Sequence, residues 1–195
     1  PLDRVTQITD VQVWEGNQPY TSASNETPNT FTTSIENNRL VIKWFFSPTS
    51  NAQRTWTLRY TVKGGLRYYE GGDQLFWKAI PPEHAQPIRN AQVRVHLPAA
   101  FNPDQLKVAS YGAAAVWQQT DPKTIVFTAS GEIPADTELE VRVQFPHGVV
   151  AGQPAAWQAA YDREAALKET WGPIINLAVL AISLLILVAG IVGLY

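Results

Sequence analysis

The hydrophobic and polar positions of this chain alternate with a period of two over most of its first 150 residues. The clearest case is Trp56, Leu58, Tyr60 and Val62, interleaved with Thr55, Thr57, Arg59 and Thr61. In a strand that spacing puts one set on each face. Ala91, Val93, Val95 and Leu97 repeat the pattern, as do Leu139, Val141, Val143 and Phe145. Val11 and Val13 begin it. Shorter strands are expected at Phe31–Ile35, Leu66–Tyr69, Leu75–Trp77, Leu106–Ser110, Val116–Gln118 and Thr124–Thr128. Leu40–Phe46 has so little polar content that cover on both faces is expected. Glu15-Gly16-Asn17, Asn37-Asn38, Gly64-Gly65 and Gly71-Gly72 supply turns, and Pro81-Pro82, Pro98 and Pro146 stop strands. Many short strands separated by such turns predict a mainly β fold, an immunoglobulin-like β-sandwich built as one domain or two small ones over 1–150.

The pattern changes after Val150. Residues 151–172 are rich in Ala, with Glu164, Lys168 and Glu169 among them, and favour a helix or stiff linker, with Trp157, Tyr161 and Trp171 on one side. A helix packed on the sandwich and a juxtamembrane helix are both open on this pattern. From Ile174 to Tyr195 no charged residue occurs over 22 positions. A helix of that length reaches about 33 Å, enough for a hydrocarbon core of roughly 30 Å. Residues 173–195 are therefore expected to cross a membrane. Trp171 and Tyr195 would anchor its two ends at headgroup depth. Asn176, Ala189 and Gly193 are candidates for contact with another membrane helix, because small residues let helices approach and Asn prefers a hydrogen-bond partner to lipid.

Composition narrows the chemistry. Net charge is -2 with no long basic run, which gives nucleic acid no electrostatic footprint. The absence of cysteine removes disulfides and thiolate metal sites. His84, His96 and His147 are not at metal-ligand spacing, and all three are expected at the surface. No nucleophile elbow, phosphate-binding glycine loop or dinucleotide fingerprint is present. No cofactor, metal or catalytic residue is expected, and the chain is expected not to be an enzyme. Two carboxylates would suffice for a hydrolase. Glu70 and Asp73, however, flank a glycine turn, and Glu138 and Glu140 share a strand face expected to stay wet. Tyr69 and Trp77 lie in an aromatic-rich stretch and are candidates for a binding surface for sugar rings.

Four segments, in order, carry a family resemblance: Trp56-Thr-Leu-Arg-Tyr-Thr-Val62, Asp73-Gln-Leu-Phe-Trp-Lys-Ala-Ile80, Pro87-Ile-Arg-Asn-Ala-Gln-Val-Arg-Val-His-Leu-Pro98 and Gln144-Phe-Pro-His-Gly148. With the apolar stretch that follows, the chain resembles the predicted bacterial membrane proteins of domain-of-unknown-function family 2207. The resemblance implies a cleaved signal peptide, a β domain outside the cytoplasm, membrane helices and further chain after Tyr195. It supplies no activity and no catalytic residue. The expectation is a non-catalytic β domain held at the cell membrane, a scaffold or accessory subunit whose partners are the bilayer and other membrane helices. A cell-surface glycan-binding module is the alternative.

Overall fold

A computed structural model describes residues 2–171 of the chain. The expected membrane span over 173–195, the anchor Tyr195 and the helix-contact residues Asn176, Ala189 and Gly193 lie outside the described residues. No helix among the described residues is long and apolar enough to cross a membrane. The chain divides into two compact units, Pro1–Ala155 and Ala156–Tyr195.

The first unit is β throughout, with four sheets arranged about two cores. Strands β1 (Gln7–Glu15), β2 (Gln18–Pro19) and β6 (Trp56–Lys63) form one sheet in the order β2-β1-β6. Strands β3 (Thr21–Ser22), β4 (Thr30–Glu36) and β5 (Arg39–Phe45) form the next, in the order β3-β4-β5. Val13, Tyr20 and Phe31 are buried between these two sheets, with Val11, Ile42, Trp44 and Trp56 packed around them. The β4–β5 hairpin turns on Asn37 and Asn38, whose φ values of 49° and 58° are those of the tight turn that matches strand twist. β1 carries a bulge between Thr9 and Gln12, with Asp10 at φ 55°.

The second core begins after the Gly64-Gly65 turn. Strands β7 (Leu66–Arg67), β8 (Asp73–Ile80), β10 (Lys107–Gly112) and β13 (Leu139–Phe145) make a four-stranded sheet in the order β10-β13-β8-β7. Strands β9 (Gln92–His96), β11 (Ala115–Asp121) and β12 (Thr124–Ala129) make a sheet in the order β11-β12-β9. Val95, Leu97, Phe101, Ile125, Phe127, Val141, Val143 and Phe145 fill the space between them. The alternation in β13 explains its place: Leu139, Val141, Val143 and Phe145 all point into the interior. Each such side chain removed from water contributes about 1.5–3 kcal/mol. All strand ladders of β1–β6 close before Gly64, and all those of β7–β13 lie after it.

Two expectations need correction, and one holds without its face being covered. Trp56, Leu58, Tyr60 and Val62 share a face of β6, yet only Trp56 joins a core; Leu58 and Tyr60 are 39% and 37% exposed. Periodicity reports which residues share a face, not whether anything covers it. Leu40–Phe46 is half-buried rather than covered on both faces, because β5 is an edge strand. Glu140 is buried instead of wet, since Arg4 from the start of the chain reaches its carboxylate at 3.2 Å.

In the second unit, residues 156–171 form the expected helix. Trp157 and Tyr161, one turn apart, meet edge to face at 6.2 Å. Lys168 pairs with Glu164 at 2.6 Å. Trp171, the expected interfacial anchor, is helical and exposed at the end of the described residues.

Candidate functional site

The first unit holds an open apolar cleft of about 560 Å³. One wall comes from β6 and the turn after it, through Tyr60, Val62, Gly64 and Gly65. The other comes from β9, through Val93, Arg94, Val95 and His96. Leu66, Leu75, Trp77 and Val141 contribute from the four-stranded sheet. The volume lies in the range of ligand sites, which are mostly apolar with a few placed polar groups. Here those groups are Arg94, His96 and Gln153, with the tyrosines Tyr60 and Tyr68; no carboxylate lines the cleft.

Tyr60 and Trp77 stand at its boundary, with ring centroids 6.5 Å apart and planes at 42°. Beyond them lies a second apolar hollow of about 340 Å³, which Leu40, Ile42, Trp44, Leu58 and Pro81 help to line. The two residues line both spaces. The half-exposure of β6 thus has a structural reason: its inward face borders hollows rather than a filled core.

Gly64 is needed where it stands. Its φ is +64°, and a Cβ there would meet Thr6 Oγ1 at 2.1 Å. Thr6 N–H donates to the Lys63 carbonyl at 2.8 Å, tying this turn to the start of β1.

Of the two aromatic candidates, Trp77 lines the cleft and Tyr69 does not; its neighbour Tyr68 does. Tyr69 instead donates its backbone N–H to Asp73 Oδ1 at 3.3 Å. Adjacent residues of an extended segment point to opposite sides, so Tyr68 and Tyr69 could not both enter.

The carboxylates and histidines serve the fold. Asp73 is fully buried and accepts from His147 Nδ1 at 2.7 Å and from Gly148 N–H at 3.2 Å. It clasps the Phe-Pro-His-Gly segment after β13, while Glu70 stays exposed on its turn. Glu138 bonds Lys78. His84 Nδ1 faces the Gln86 carbonyl at 2.8 Å and Nε2 the Thr137 carbonyl at 2.9 Å. Both partners accept only, so both ring nitrogens must donate, and these carbonyls, Thr137 first, raise the His84 pKa. His96 Nδ1 bonds Thr124 Oγ1 at 3.2 Å. His84, half-buried, and His147, exposed as expected, also hold loops together, and His96 is exposed as well. Among the described residues no group of three His, Cys, Asp or Glu side chains is placed to hold a metal ion.

A further cluster, unforeseen in the sequence, lies on the outward face of the four-stranded sheet. Arg4 and Arg67 lie over the Phe76 ring at 5.9 and 4.5 Å, Tyr111 sits 5.4 Å from that ring, and Arg142 lies over Tyr111 at 5.8 Å. Cation–π contacts of this kind cover the outer side of a sheet whose inner side carries the core. Their members come from four strands and the chain start, so no local spacing could reveal them.

The fold is that of a mainly β module with an open apolar cleft. The family model described as the N-terminal domain of a predicted membrane protein, DUF2207, matches residues 3–145, and the chain belongs to that family. It is thus a membrane-protein domain of unknown function. Comparison with curated proteins and with solved structures gives no match.

Proposed function

We propose that this chain is a non-catalytic β region held at the cell membrane outside the cytoplasm, acting as scaffold or accessory subunit of a membrane assembly. The cleft carries this reading. It leaves the apolar side chains of Tyr60, Val62, Leu66 and Trp77 open beside the edges of β6 and β9, which have no further ladder partner among the described residues. Contiguous apolar surface rimmed by polar residues marks docking sites. Two pairs of sheets, each about its own core, support two small immunoglobulin-like sandwiches in tandem. The uncharged stretch of 173–195 supports the tether, with Trp171 and Tyr195 as anchors and Asn176, Ala189 and Gly193 toward neighbouring helices.

Mild detergent extraction followed by native mass analysis tests the subunit role. The expected result is a complex containing at least one other polypeptide. A lone monomer at every detergent level overturns it. Protease treatment of intact cells tests the orientation, and residues 1–150 should be cut; full protection reverses the assignment.

Trp77 gives a second reading some footing, because its ring is half-buried at the cleft boundary instead of lost in a core. As a glycan module the protein would bind sugars on an array, and Trp77→Ala would abolish binding without unfolding. The tilt between Tyr60 and Trp77 favours the docking reading, since a flat sugar platform wants rings that lie in one plane.

A further inference from the structure

The β9 wall of the cleft is a strand edge. Four consecutive residues, Val93 through His96, line it. Side chains alone cannot do this, because successive ones point to opposite faces. The backbone itself faces the opening.

The ladder to β12 fixes which backbone groups are open. Ala129 N–H donates to the Ala91 carbonyl at 3.0 Å, and Leu97 N–H donates to the Lys123 carbonyl at 2.7 Å. Val93 opposite Phe127 and Val95 opposite Ile125 fall between these points at steps of two. Bonded and non-bonded pairs alternate in an antiparallel ladder. Val93 and Val95 therefore direct their N–H and C=O groups to β12, and Arg94 directs its own away. Among the described residues nothing hydrogen-bonds the Arg94 backbone. An open edge of this kind is a template for another strand.

We infer that the β9 edge receives one extended strand of a partner protein reading apolar–acidic–apolar, with the acidic residue opposite Arg94. The reasoning is positional. The residue opposite Arg94 would exchange two backbone hydrogen bonds with it and share its face of the sheet. On that face the Arg94 guanidinium meets only a neutral amide, donating from Nε to Gln92 Oε1 at 2.9 Å. Since no carboxylate lines the cleft, an incoming carboxylate complements its one formal charge. The residues on either side of the acid point the other way, beside Val93 and Val95, into the space bounded by Tyr60 and Val62. Apolar side chains suit that space.

This inference rests on the docking role proposed above and names its chemistry. The test uses the full chain in detergent micelles and the dansylated heptapeptide Ser-Thr-Val-Glu-Val-Thr-Ser, followed by fluorescence anisotropy. Saturable binding is expected. Replacing the peptide Glu by Lys should weaken it at least about fivefold, the upper range of a cross-strand pair. N-methylation of the Glu nitrogen should abolish it. Arg94→Glu should reverse the preference between the Glu and Lys peptides. Arg94→Pro removes the open N–H together with the guanidinium and takes no N–H from the β12 ladder; it should weaken the Lys peptide as well as the Glu peptide, which loss of the charge alone would not do. Absence of saturable binding, indifference to N-methylation, or an unchanged ranking with Arg94→Glu overturns the inference. So does self-association abolished by Arg94→Pro without peptide, which would give the edge to a second copy. A partner found by native mass analysis alongside failed peptide binding sinks this inference alone and leaves the subunit role standing.

Discussion

Asp73 shows how a single side chain can hold two distant segments. Its carboxylate is fully buried and bonded by His147, Gly148 and Tyr69. Removing the carboxylate takes an acceptor from the Tyr69 and Gly148 N–H groups, at a cost of roughly 1–3 kcal/mol. Asp73→Ala should lower stability by about that amount in urea unfolding. A change under about 1 kcal/mol would show that the clasp is incidental. His84 makes a prediction with a sign. Its folded pKa is raised by the Thr137 and Gln86 carbonyls. The clamp is therefore fully present below the ordinary histidine pKa and is lost as pH rises through the higher folded value. The difference in melting temperature between the native chain and His84→Asn should shrink from pH 5.5 to pH 8. Glu15 runs the opposite way. Arg54 grips it through two bonds of 2.6 Å, and with Tyr20 lowers its pKa. Stability from Glu15 is present above the ordinary carboxylate range and falls away as pH drops through the lowered value.

At the level of strands and turns, Gly112 marks the end of β10. Its φ is +80°, and a Cβ would meet the Glu138 carbonyl oxygen at 2.2 Å. The clash is with backbone, which cannot swing aside. Gly112→Ala should cost at least about 1 kcal/mol, measured by thermal unfolding, whereas the open Gly131→Ala should change little. The strands themselves were largely legible in the sequence. β6, β9 and β13 follow their alternation, and Asn37-Asn38 turns the hairpin where two residues tolerant of positive φ stand together. The cleft was not legible. β6 and β13 carry the same period-two signal, yet β13 is central and buried while β6 is an edge beside a hollow. Pairing order is set by residues far apart in sequence, and no local pattern encodes it. Glu140 was misplaced for the same reason: its cover, Arg4, is 136 positions away. Trp77 was singled out as an aromatic among aromatics, but Arg94 was passed over because its backbone, rather than its side chain, faces the opening.

For the β region as a whole, the two cores are unequal. The first buries three hydrophobic residues fully, and the second buries eight. Local opening follows buried apolar contact density. Amide hydrogen exchange should therefore be faster in β4 and β5 than in β12 and β13. Equal protection throughout would mean that the two cores open as one cooperative body. The family assignment agrees with the resemblance carried by the four ordered segments, and the helix over 156–171 with the Ala-rich stretch.

The Gly64-Gly65 turn separates two self-contained sets of ladders. As the nascent chain leaves the ribosome, amino end first, β1 to β6 emerge with every strand they pair with before any of β7 to β13 has been made. The early half can therefore finish its hydrogen bonding without waiting for later sequence. Contacts that cross the turn come later: Arg39 meets Glu83 only once the chain beyond β8 is out, and Arg4 waits for Glu140 until β13 arrives.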